Sequence, residues 1–399
     1  MRKLRFATAI PDFSKKKGGA ERYLVDLCER MAGENYEVNV YAEHWDEEIQ
    51  GIHYHRIKTL SFPKSLRLLT FAIRATQEIE KGNYDITLGV GNTLKADVLQ
   101  PHGGVHWAWF WRSLRAYDSP FLWTIKFLGR ILSPKQWVNG WIENAPYKRK
   151  TFSKIIAISE MVKQDIIRWY GIPENQIEVI YNGVDTERFH PRNRQYREEI
   201  RKQHHIGDEI VILFVSNNFR MKGLGYLMKA LAKIKMEDHP PFKLLVLGRD
   251  HKDSYLRLSR RMGISEETIF AGSTDEPEKY YGSADIFVHP AFYDAFSLSV
   301  LEALASGLPV ITTSSTGASG ILNHGEEGFV LRKIEDLEEL KTAIMYFFKE
   351  DIRQHASHLG RMKAERHSDQ SNFSGIDQVF KNTIHICLTK DDPCDQAMR

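Results

Sequence analysis

Apolar and polar residues alternate between strand-like and helix-like patterns in the first 185 positions. Short apolar runs predict strands at LRFATAI, YEVNVYAE, YDITLGVG, KIIAIS and IEVIYNGVD. The segments AERYLVDLCERMAGEN, SLRLLTFAIRATQEIEK and EMVKQDIIRWYG instead place apolar residues three and four positions apart, as on one face of a helix. Because alternating strands and helices indicate a parallel sheet, we predict an α/β domain over residues 1–190.

A second series of strands and helices follows, with strands predicted at EIVILFVS, KLLVLG, TIFAG, DIFVHP and LPVITT. These strands are continuous apolar runs, which is typical of strands covered on both faces in a doubly wound parallel sheet. The charged segment TERFHPRNRQYREEIRKQHHI, which precedes them, is interpreted as a linker. We therefore place the domain boundary near Pro191 and the second α/β domain at residues 191–370.

The last segment, residues 371–399, combines two patterns. SNFSGIDQVFKNTIHI predicts a helix that packs back on the first domain, whereas CLTKDDPCDQAMR is polar and predicts a flexible tail. The total length of 399 residues agrees with two domains of ordinary size.

Composition narrows the class of protein. Hydrophobic residues make up 42% and charged residues 27% of the chain, and no apolar run approaches the roughly 20 residues that span a bilayer. The short apolar stretch at the N-terminus is typical of a first strand and not of a signal peptide, so we expect a cytoplasmic protein. Three widely spaced cysteines predict neither a disulfide framework nor a zinc site, and a net charge of +3 gives no reason to expect a nucleic-acid partner.

Residues 105–150 form a basic and aromatic window. They contain six of the eight tryptophans and eight Lys or Arg residues against two acids, Asp118 and Glu143. This composition fits a surface that meets anionic lipid headgroups, with cations for the phosphates and tryptophans for the interface. It fits equally well tryptophans that fill the core of the first domain.

The loops after the strands of the second series carry the candidate chemistry. Ligands of such sheets bind beyond the carboxyl ends of the strands, and phosphates favour helix N-termini. Arg220 and Lys222 directly precede a predicted helix and are candidate diphosphate ligands, although two cations in a polar loop can also be simply solvated.

Two carboxylates, Asp294 and Glu302, bracket the next such loop and the first two turns of its helix. A nucleoside diphosphate sugar is long enough to touch both, and carboxylates accept hydrogen bonds from sugar hydroxyls. The alternative is that Asp294 caps the helix and Glu302 lies on the surface. Glu302 lies within the apolar stretch VLEALASGLPVI, where an unpaired charge is costly to bury, so we predict that it has a partner.

Several motifs, in the correct order, resemble the retaining family-4 glycosyltransferases. DAFSLSVLEALASGLPVI resembles the family's acid-x7-Glu element, YNGVDTERFHP its interdomain signature, Lys222-Gly223 its phosphate-binding lysine, and Gly18-Gly19 its first glycine-rich loop. The resemblance implies the GT-B fold, in which two Rossmann-like domains face each other across a cleft and the C-terminal one binds the donor. The first domain is most similar to bacterial lipopolysaccharide core hexosyltransferases.

The resemblance also implies roles for individual residues. Glu302 becomes a ribose ligand, Asp294 a donor-sugar ligand and Lys222 a diphosphate ligand. His102, in ADVLQPHGG, resembles the active-site histidine, with His106 as its substitute. The expected catalytic residues are thus His102, Asp294 and Lys222. The expected donor-binding set comprises Gly18, Gly19, Arg220, Lys222, Asp294, Ala295, Phe296, Ser297, Leu298 and Glu302.

Three positions depart from the family pattern. The first acid is usually glutamate, so Asp294 is one methylene shorter. Ala295-Phe296-Ser297 replaces a Gly-Phe-Gly segment and adds side chains where backbone usually meets the donor. Asn217 stands where the family has an arginine, so Arg220 is expected to supply that charge.

The resemblance further implies a metal-independent reaction that uses a nucleotide sugar and no cofactor, and we favour UDP-sugars such as UDP-glucose over GDP-sugars. We expect a glycolipid or polysaccharide acceptor, a role in lipopolysaccharide core or surface polysaccharide synthesis, and a peripheral position on the inner face of the cytoplasmic membrane. Two alternatives stay open, a nucleotide-sugar epimerase of the same fold and a non-catalytic nucleotide-sugar-binding protein. A dinucleotide-dependent oxidoreductase is disfavoured, because LFVSNNFRMKGLG lacks the Gly-x-Gly-x-x-Gly pattern.

Overall fold

A computed structural model describes residues 2–390 of the chain, with side chains as far as His385. Residues 391–399 of the predicted flexible tail, with Cys394, lie outside these residues, whereas its first four residues, 387–390, are helical and not a tail as the sequence predicts. The chain forms two compact units, one comprising the residues up to Ile180 together with those from Phe373 onward, and the other comprising Tyr181–Asn372.

The first unit contains a seven-stranded parallel sheet in the order β5-β3-β1-β6-β7-β8-β9 and a small sheet of β2 and β4. Its strands are β1 (Leu4–Ala9), β2 (Asp12–Phe13), β3 (Tyr36–Ala42), β4 (His44–Trp45), β5 (Ile52–Arg56), β6 (Ile86–Gly89), β7 (Val98–Leu99), β8 (Lys154–Ala157) and β9 (Ile177–Val179). Its helices are α1 (Gly19–Gly33), α2 (Lys64–Lys81), α3 (His106–Leu114), α4 (Pro120–Ile131), α5 (Pro134–Arg149) and α6 (Glu160–Tyr170), with a 3-10 helix at Glu174–Gln176.

The second unit contains a six-stranded parallel sheet in the order β12-β11-β10-β13-β14-β15. Its strands are β10 (Ile210–Val215), β11 (Phe242–Leu247), β12 (Thr268–Gly272), β13 (Ile286–His289), β14 (Val310–Thr313) and β15 (Gly328–Leu331). Its helices are α7 (Arg197–Gln203), α8 (Leu224–Ile234), α9 (Asp253–Met262), α10 (Pro277–Ser283), α11 (Leu298–Ala305), α12 (Leu337–Tyr346) and α13 (Glu350–Arg366), with 3-10 helices at Pro191–Tyr196 and Gly317–Ile321. The last helix, α14 (Asp369–Lys390), begins in this unit and belongs to the first unit from Phe373.

Helices cover both faces of the first sheet. Alternate side chains of a strand point to opposite faces, so neighbouring residues of β1 pack in different cores. Phe6 packs in a core with side chains of α1 and with Phe380 of α14. Its neighbour Ala7 packs in a separate core with Phe71 of α2. The continuous apolar strands therefore reflect a sheet buried between two helical layers.

The second sheet has the same construction. Ile212 and Phe214 of β10 pack in a core with side chains of α8 and α12. The alternate residue Leu213 is fully buried on the opposite face, and α11 lies against β13 and β14. The predicted strand runs in this half of the chain all form strands of one sheet, with register pairs such as Ile212 with Leu244.

The charged segment before β10 is not a free linker, contrary to the sequence interpretation. Arg197 and Arg201 both bind the carboxylate of Asp285, at 2.8 and 2.9 Å, and Asp285 Oδ2 also accepts from the Val211 backbone N–H at 2.9 Å. These ion pairs with the buried Asp285 attach the segment to the second unit. The unit therefore begins at Tyr181, whereas the sequence places the boundary near Pro191.

Candidate functional site

The loop between β10 and α8 is fitted closely against the end of β13. Gly223 has φ +78°, in the left-handed region, and a Cβ atom there would lie 2.1 Å from the carbonyl oxygen of Pro290. The Phe292 backbone N–H donates to Met221 O at 3.0 Å. Only glycine fits position 223, and the two loops after neighbouring strands are thereby held side by side.

Lys222 and Asp294, from these two loops, form an ion pair. Lys222 Nζ lies 2.6 Å from Asp294 Oδ2 and donates to Tyr293 O at 3.0 Å. Their side chains are 18% and 19% exposed. Two of the predicted donor residues thus meet at the carboxyl edge of the sheet and keep partial access to solvent.

The backbone of Asp294 is fixed by the loop after β14. Its N–H donates to Ser315 O at 3.0 Å, and its carbonyl oxygen accepts from the Gly317 N–H at 2.8 Å. Burial opposes ionisation of the carboxyl group, but the Lys222 ammonium and the His289 imidazole outweigh it and hold the pKa of Asp294 well below its usual range. Asp294 is therefore a fixed anion throughout the physiological pH range.

His289 is a member of this cluster that the sequence reasoning missed. It ends β13 and is buried, and its Nε2 lies 3.1 Å from Asp294 Oδ2 and 3.2 Å from Ser297 Oγ. The available signal was a histidine at the end of the apolar run IFV, shortly before Asp294. Such a residue needs a polar partner when it is buried.

The segment Ala295-Phe296-Ser297 leads into α11. Ala295 and Phe296 are buried, and Leu298 is the first residue of the helix. Ser297 precedes the helix at φ +79° and ψ +87°, a backbone conformation that favours glycine. A serine thus occupies a glycine-like conformation at the position where the resembling family has its second glycine.

Glu302 has the partner that its apolar surroundings require. The Tyr281 hydroxyl, from α10, donates to Glu302 Oε2 at 2.9 Å. Glu302 is half-buried on α11, one to two turns beyond Ser297. The sequence predicted a partner, but nothing in it identified a neutral tyrosine.

Arg220 and Asn217 have different surroundings from Lys222. Arg220 is exposed in the β10–α8 loop. Asn217 Oδ1 accepts from the Arg249 backbone N–H at 3.0 Å and so joins this loop to the one after β11. The structure therefore brings Lys222 into contact with Asp294 and leaves Arg220 at the surface of the same loop.

The glycine-rich loop of the first unit starts α1. Gly18 directly precedes the helix and Gly19 is its first residue. A Cβ atom on Gly18 would lie 2.5 Å from Glu21 Oε2. The nearby Lys15 pairs with Asp26 and Glu29, so its charge is already matched by side chains of α1.

His102 lies in the loop between β7 and α3 and is 8% exposed. Its ring lies against Tyr23, with centroids 4.2 Å apart, and Nε2 has no hydrogen-bond partner among residues 2–390. Burial lowers the pKa of His102 to about 3, so the imidazole is neutral at physiological pH. His106 instead begins α3, and its backbone N–H donates to Glu143 Oε1 at 2.8 Å.

The basic and aromatic window folds into α3, α4 and α5, and its tryptophans do not form the core. None of the six is buried, and Trp111, Trp137 and Trp141 are exposed. Helix α4 has no buried residue at all, although it is mostly apolar. We define the α4 surface as the exposed residues Phe121, Leu122, Ile125, Leu128, Ile131 and Leu132.

No helix among the described residues has the length and apolar character needed to cross a membrane. Within residues 2–390, no group of three or more His, Cys, Asp or Glu side chains is arranged to hold a metal ion.

Two family models match the chain. The model described as Glycosyl transferases group 1 matches residues 196–365, and that described as Glycosyltransferase Family 4 matches residues 17–188. An uncharacterized glycosyltransferase of Methanocaldococcus jannaschii is 29% identical over 338 residues, which cover 78% of this chain and 80% of that protein. A GDP-mannose-dependent phosphatidylinositol monomannoside mannosyltransferase of Mycobacterium tuberculosis is 24% identical and covers 80% of this chain and 83% of its own length.

Lipopolysaccharide glucosyltransferase WaaG of Escherichia coli is 20% identical over 343 residues, which cover 82% of this chain and 85% of that protein. The crystal structure of WaaG superimposes with a TM-score of 0.77 at 18% identity, covering 94% of this chain and 99% of WaaG. Anabaena HepE, solved in complex with UDP and glucose, has a TM-score of 0.69 at 19% identity, covering 95% of this chain and 100% of HepE. These structures share the fold of the chain.

Proposed function

Since the chain belongs to the family-4 glycosyltransferases and has their GT-B fold, we propose that it is a retaining hexosyltransferase. It moves a hexose from a nucleoside diphosphate sugar to a cell-surface glycan or glycolipid, in lipopolysaccharide core or surface polysaccharide synthesis. The observation that carries this proposal is the partly exposed Lys222–Asp294 ion pair beside the N-terminus of α11. A cation, a fixed anion and a helix N-terminus at one edge match a diphosphate joined to a sugar.

Lys222 and Asp294 neutralise each other until the donor binds. Without donor, each charge has a partner 2.6 Å away, so neither is left unpaired in a partly buried site. With donor bound, Lys222 turns to the diphosphate, where negative charge grows as the glycosidic bond breaks. Asp294 then accepts hydrogen bonds from hydroxyls of the sugar.

Retention follows from a displacement on one face of the sugar. The bond from C1 to the leaving phosphate oxygen breaks while the acceptor oxygen bonds to C1 on the same face. The acceptor proton passes to the departing phosphate, so no side chain has to act as nucleophile. His102 is the proposed active-site histidine, because its loop resembles the family's active-site segment and its imidazole is neutral, with no hydrogen-bond partner for Nε2 among residues 2–390.

A donor panel tests the transferase proposal and the donor preference together. Purified protein is incubated with UDP-glucose, UDP-galactose, UDP-N-acetylglucosamine or GDP-mannose, with and without lipid-linked acceptor, and released nucleotide is measured. We expect release from one UDP-sugar, as HepE was solved with UDP, and acceptor product with the anomeric configuration of the donor. Nucleotide release from GDP-mannose alone would contradict the preference for UDP-sugars. No nucleotide release from any of the four donors would contradict the transferase proposal.

Glu302 is proposed to bind the ribose of the donor, and its loss should act on donor affinity. We expect Glu302→Ala to raise the KM for the donor by about 10- to 100-fold, because a hydrogen bond to a charged group contributes roughly 1.5–3 kcal/mol. Tyr281→Phe should raise KM by about threefold, since it removes only the hydroxyl that orients Glu302. The control is Glu338→Ala, an exposed glutamate of α12 whose loss should leave KM unchanged. Equal KM values for Glu302→Ala and the control would show that Glu302 does not bind the donor.

The acceptor is proposed to be reached at an anionic membrane, through the α4 surface. This surface is apolar, and α4 and α5 also carry exposed cations, among them Lys126 and Lys135. The window holds eight basic and two acidic residues. An apolar surface on helices that also carry exposed cations matches the inner leaflet, with acyl chains beneath anionic headgroups.

Vesicle sedimentation tests the membrane proposal. The protein should bind phosphatidylglycerol vesicles and bind them more weakly as salt is raised. We expect Phe121→Glu with Leu128→Glu to weaken binding at least about tenfold, because two charges replace apolar contacts with the lipid. Met236→Glu is the control, since Met236 is a still more exposed apolar residue, lies in the second unit, and its replacement should have no effect. Wild-type protein that stays in the supernatant contradicts the proposal.

A further inference from the structure

The histidine behind Asp294 is held rigidly. The carbonyl oxygen of His289 accepts from Thr312 Oγ1 at 2.8 Å, which ties the end of β13 to β14. Its ring lies nearly parallel to that of Phe287, at 11° with centroids 6.1 Å apart. The backbone of His289 is therefore tied to β14, and its ring is buried beside Phe287.

The hydrogen-bond partners of His289 fix its tautomer. Nε2 faces the carboxylate of Asp294, which can only accept, so Nε2 carries the proton and donates. Nδ1 is buried and has no partner among residues 2–390. A bare lone pair is tolerated there, whereas a second N–H would be buried without an acceptor. Burial accordingly lowers the pKa of His289 below its ordinary value, despite the nearby carboxylate.

The two oxygens of Asp294 have unequal surroundings. Oδ2 receives both Lys222 Nζ, at 2.6 Å, and His289 Nε2, at 3.1 Å. Oδ1 receives a longer contact from the Phe296 backbone N–H, at 3.4 Å. Oδ1 is thus the oxygen with capacity for a further donor, and Oδ2 is the oxygen that the protein anchors.

We propose that His289 is a positioning residue for Asp294, a role that rests on the proposed function. When Lys222 turns to the diphosphate, the neutral imidazole remains as the donor that anchors Oδ2. Oδ1 is then presented to a hydroxyl of the donor sugar. The hydrogen bond from His289 thus holds the carboxylate of Asp294, whose side chain is one methylene shorter than that of glutamate.

Two substitutions separate positioning from packing. His289→Phe keeps a ring of similar shape beside Phe287 but removes the N–H donor. His289→Gln retains an amide N–H near the place of Nε2. We expect His289→Phe to lower kcat by about 10- to 100-fold while the Kd of free UDP, which carries no sugar, changes less than twofold. His289→Gln should recover most of the lost kcat.

The same assay distinguishes this proposal from the proposed function. Wild-type nucleotide release that is lost in Lys222→Ala supports the function by itself. If His289→Phe then retains the wild-type kcat, or if it weakens UDP binding and kcat equally, the positioning role is overturned and the function stands. Nitrogen-15 NMR of the His289 ring gives a readout that needs no turnover. We expect a neutral ring that carries its proton on Nε2. A ring with Nε2 unprotonated overturns the proposal.

Discussion

Lys222→Ala is expected to lower kcat/KM for nucleotide release by about 100- to 1,000-fold, the loss found when a charge-stabilising donor is removed from an active site. Lys222 is the cation that contacts Asp294, and it comes from the loop that precedes α8. Its loss leaves the leaving diphosphate without this counter-charge and leaves Asp294 without its cationic partner. Steady-state nucleotide release at saturating acceptor measures the effect.

Lys233→Ala is the matched control for that substitution. Lys233 lies on α8 and pairs with the exposed Glu338, away from the loop. Its removal should leave kcat/KM within about twofold of wild type, since exposed ion pairs contribute little. If Lys222→Ala stays within tenfold of wild type, Lys222 is only a structural partner of Asp294 and the proposed donor chemistry is wrong.

Gly223→Ala is expected to destabilise the second unit by on the order of 3 kcal/mol and to abolish donor turnover. The added Cβ atom would lie 2.1 Å from Pro290 O, a backbone atom that cannot move without shifting the end of β13. The same residue has φ +78°, which adds backbone strain for alanine. Both effects displace Lys222 and Asp294 relative to each other.

Gly263→Ala separates the steric effect from the backbone effect. Gly263 has φ +71° and a Cβ atom there would meet nothing within 4 Å. Its replacement should cost only about 1 kcal/mol, the backbone contribution alone. Urea unfolding of both variants gives the comparison, and equal losses would show that the Pro290 contact is unimportant.

Much of the fold could be predicted because its strands are buried on both faces. Runs such as those at β10, β11 and β13 are continuous and apolar, so the pattern and the strand coincide. The two-residue strands β2 and β4 carry no such pattern. The sequence predicts a linker before β10 because apolar periodicity does not report ion pairs, and Arg197 and Arg201 are held by ion pairs with the buried Asp285.

Sequence motifs predicted some residues of the candidate site but not the side chains that contact them. The motif spacing identified Lys222, Asp294 and Glu302, but not the partners that fix them. His289 and Tyr281 come from other elements and meet the carboxylates only in the folded unit. Composition also left the location of the tryptophans open, since a tryptophan suits a core and an interface alike.

Hydrogen–deuterium exchange with and without the productive nucleotide sugar tests the donor site most directly. Donor bound at the carboxyl edge of the second sheet should slow exchange in the peptides that cover residues 217–226 and 291–302. Peptides of the α4 surface should exchange at the same rate in both states. Bound donor that slows exchange elsewhere and leaves both of these loops unchanged would contradict the assignment of Lys222, Asp294 and Glu302 to the donor site.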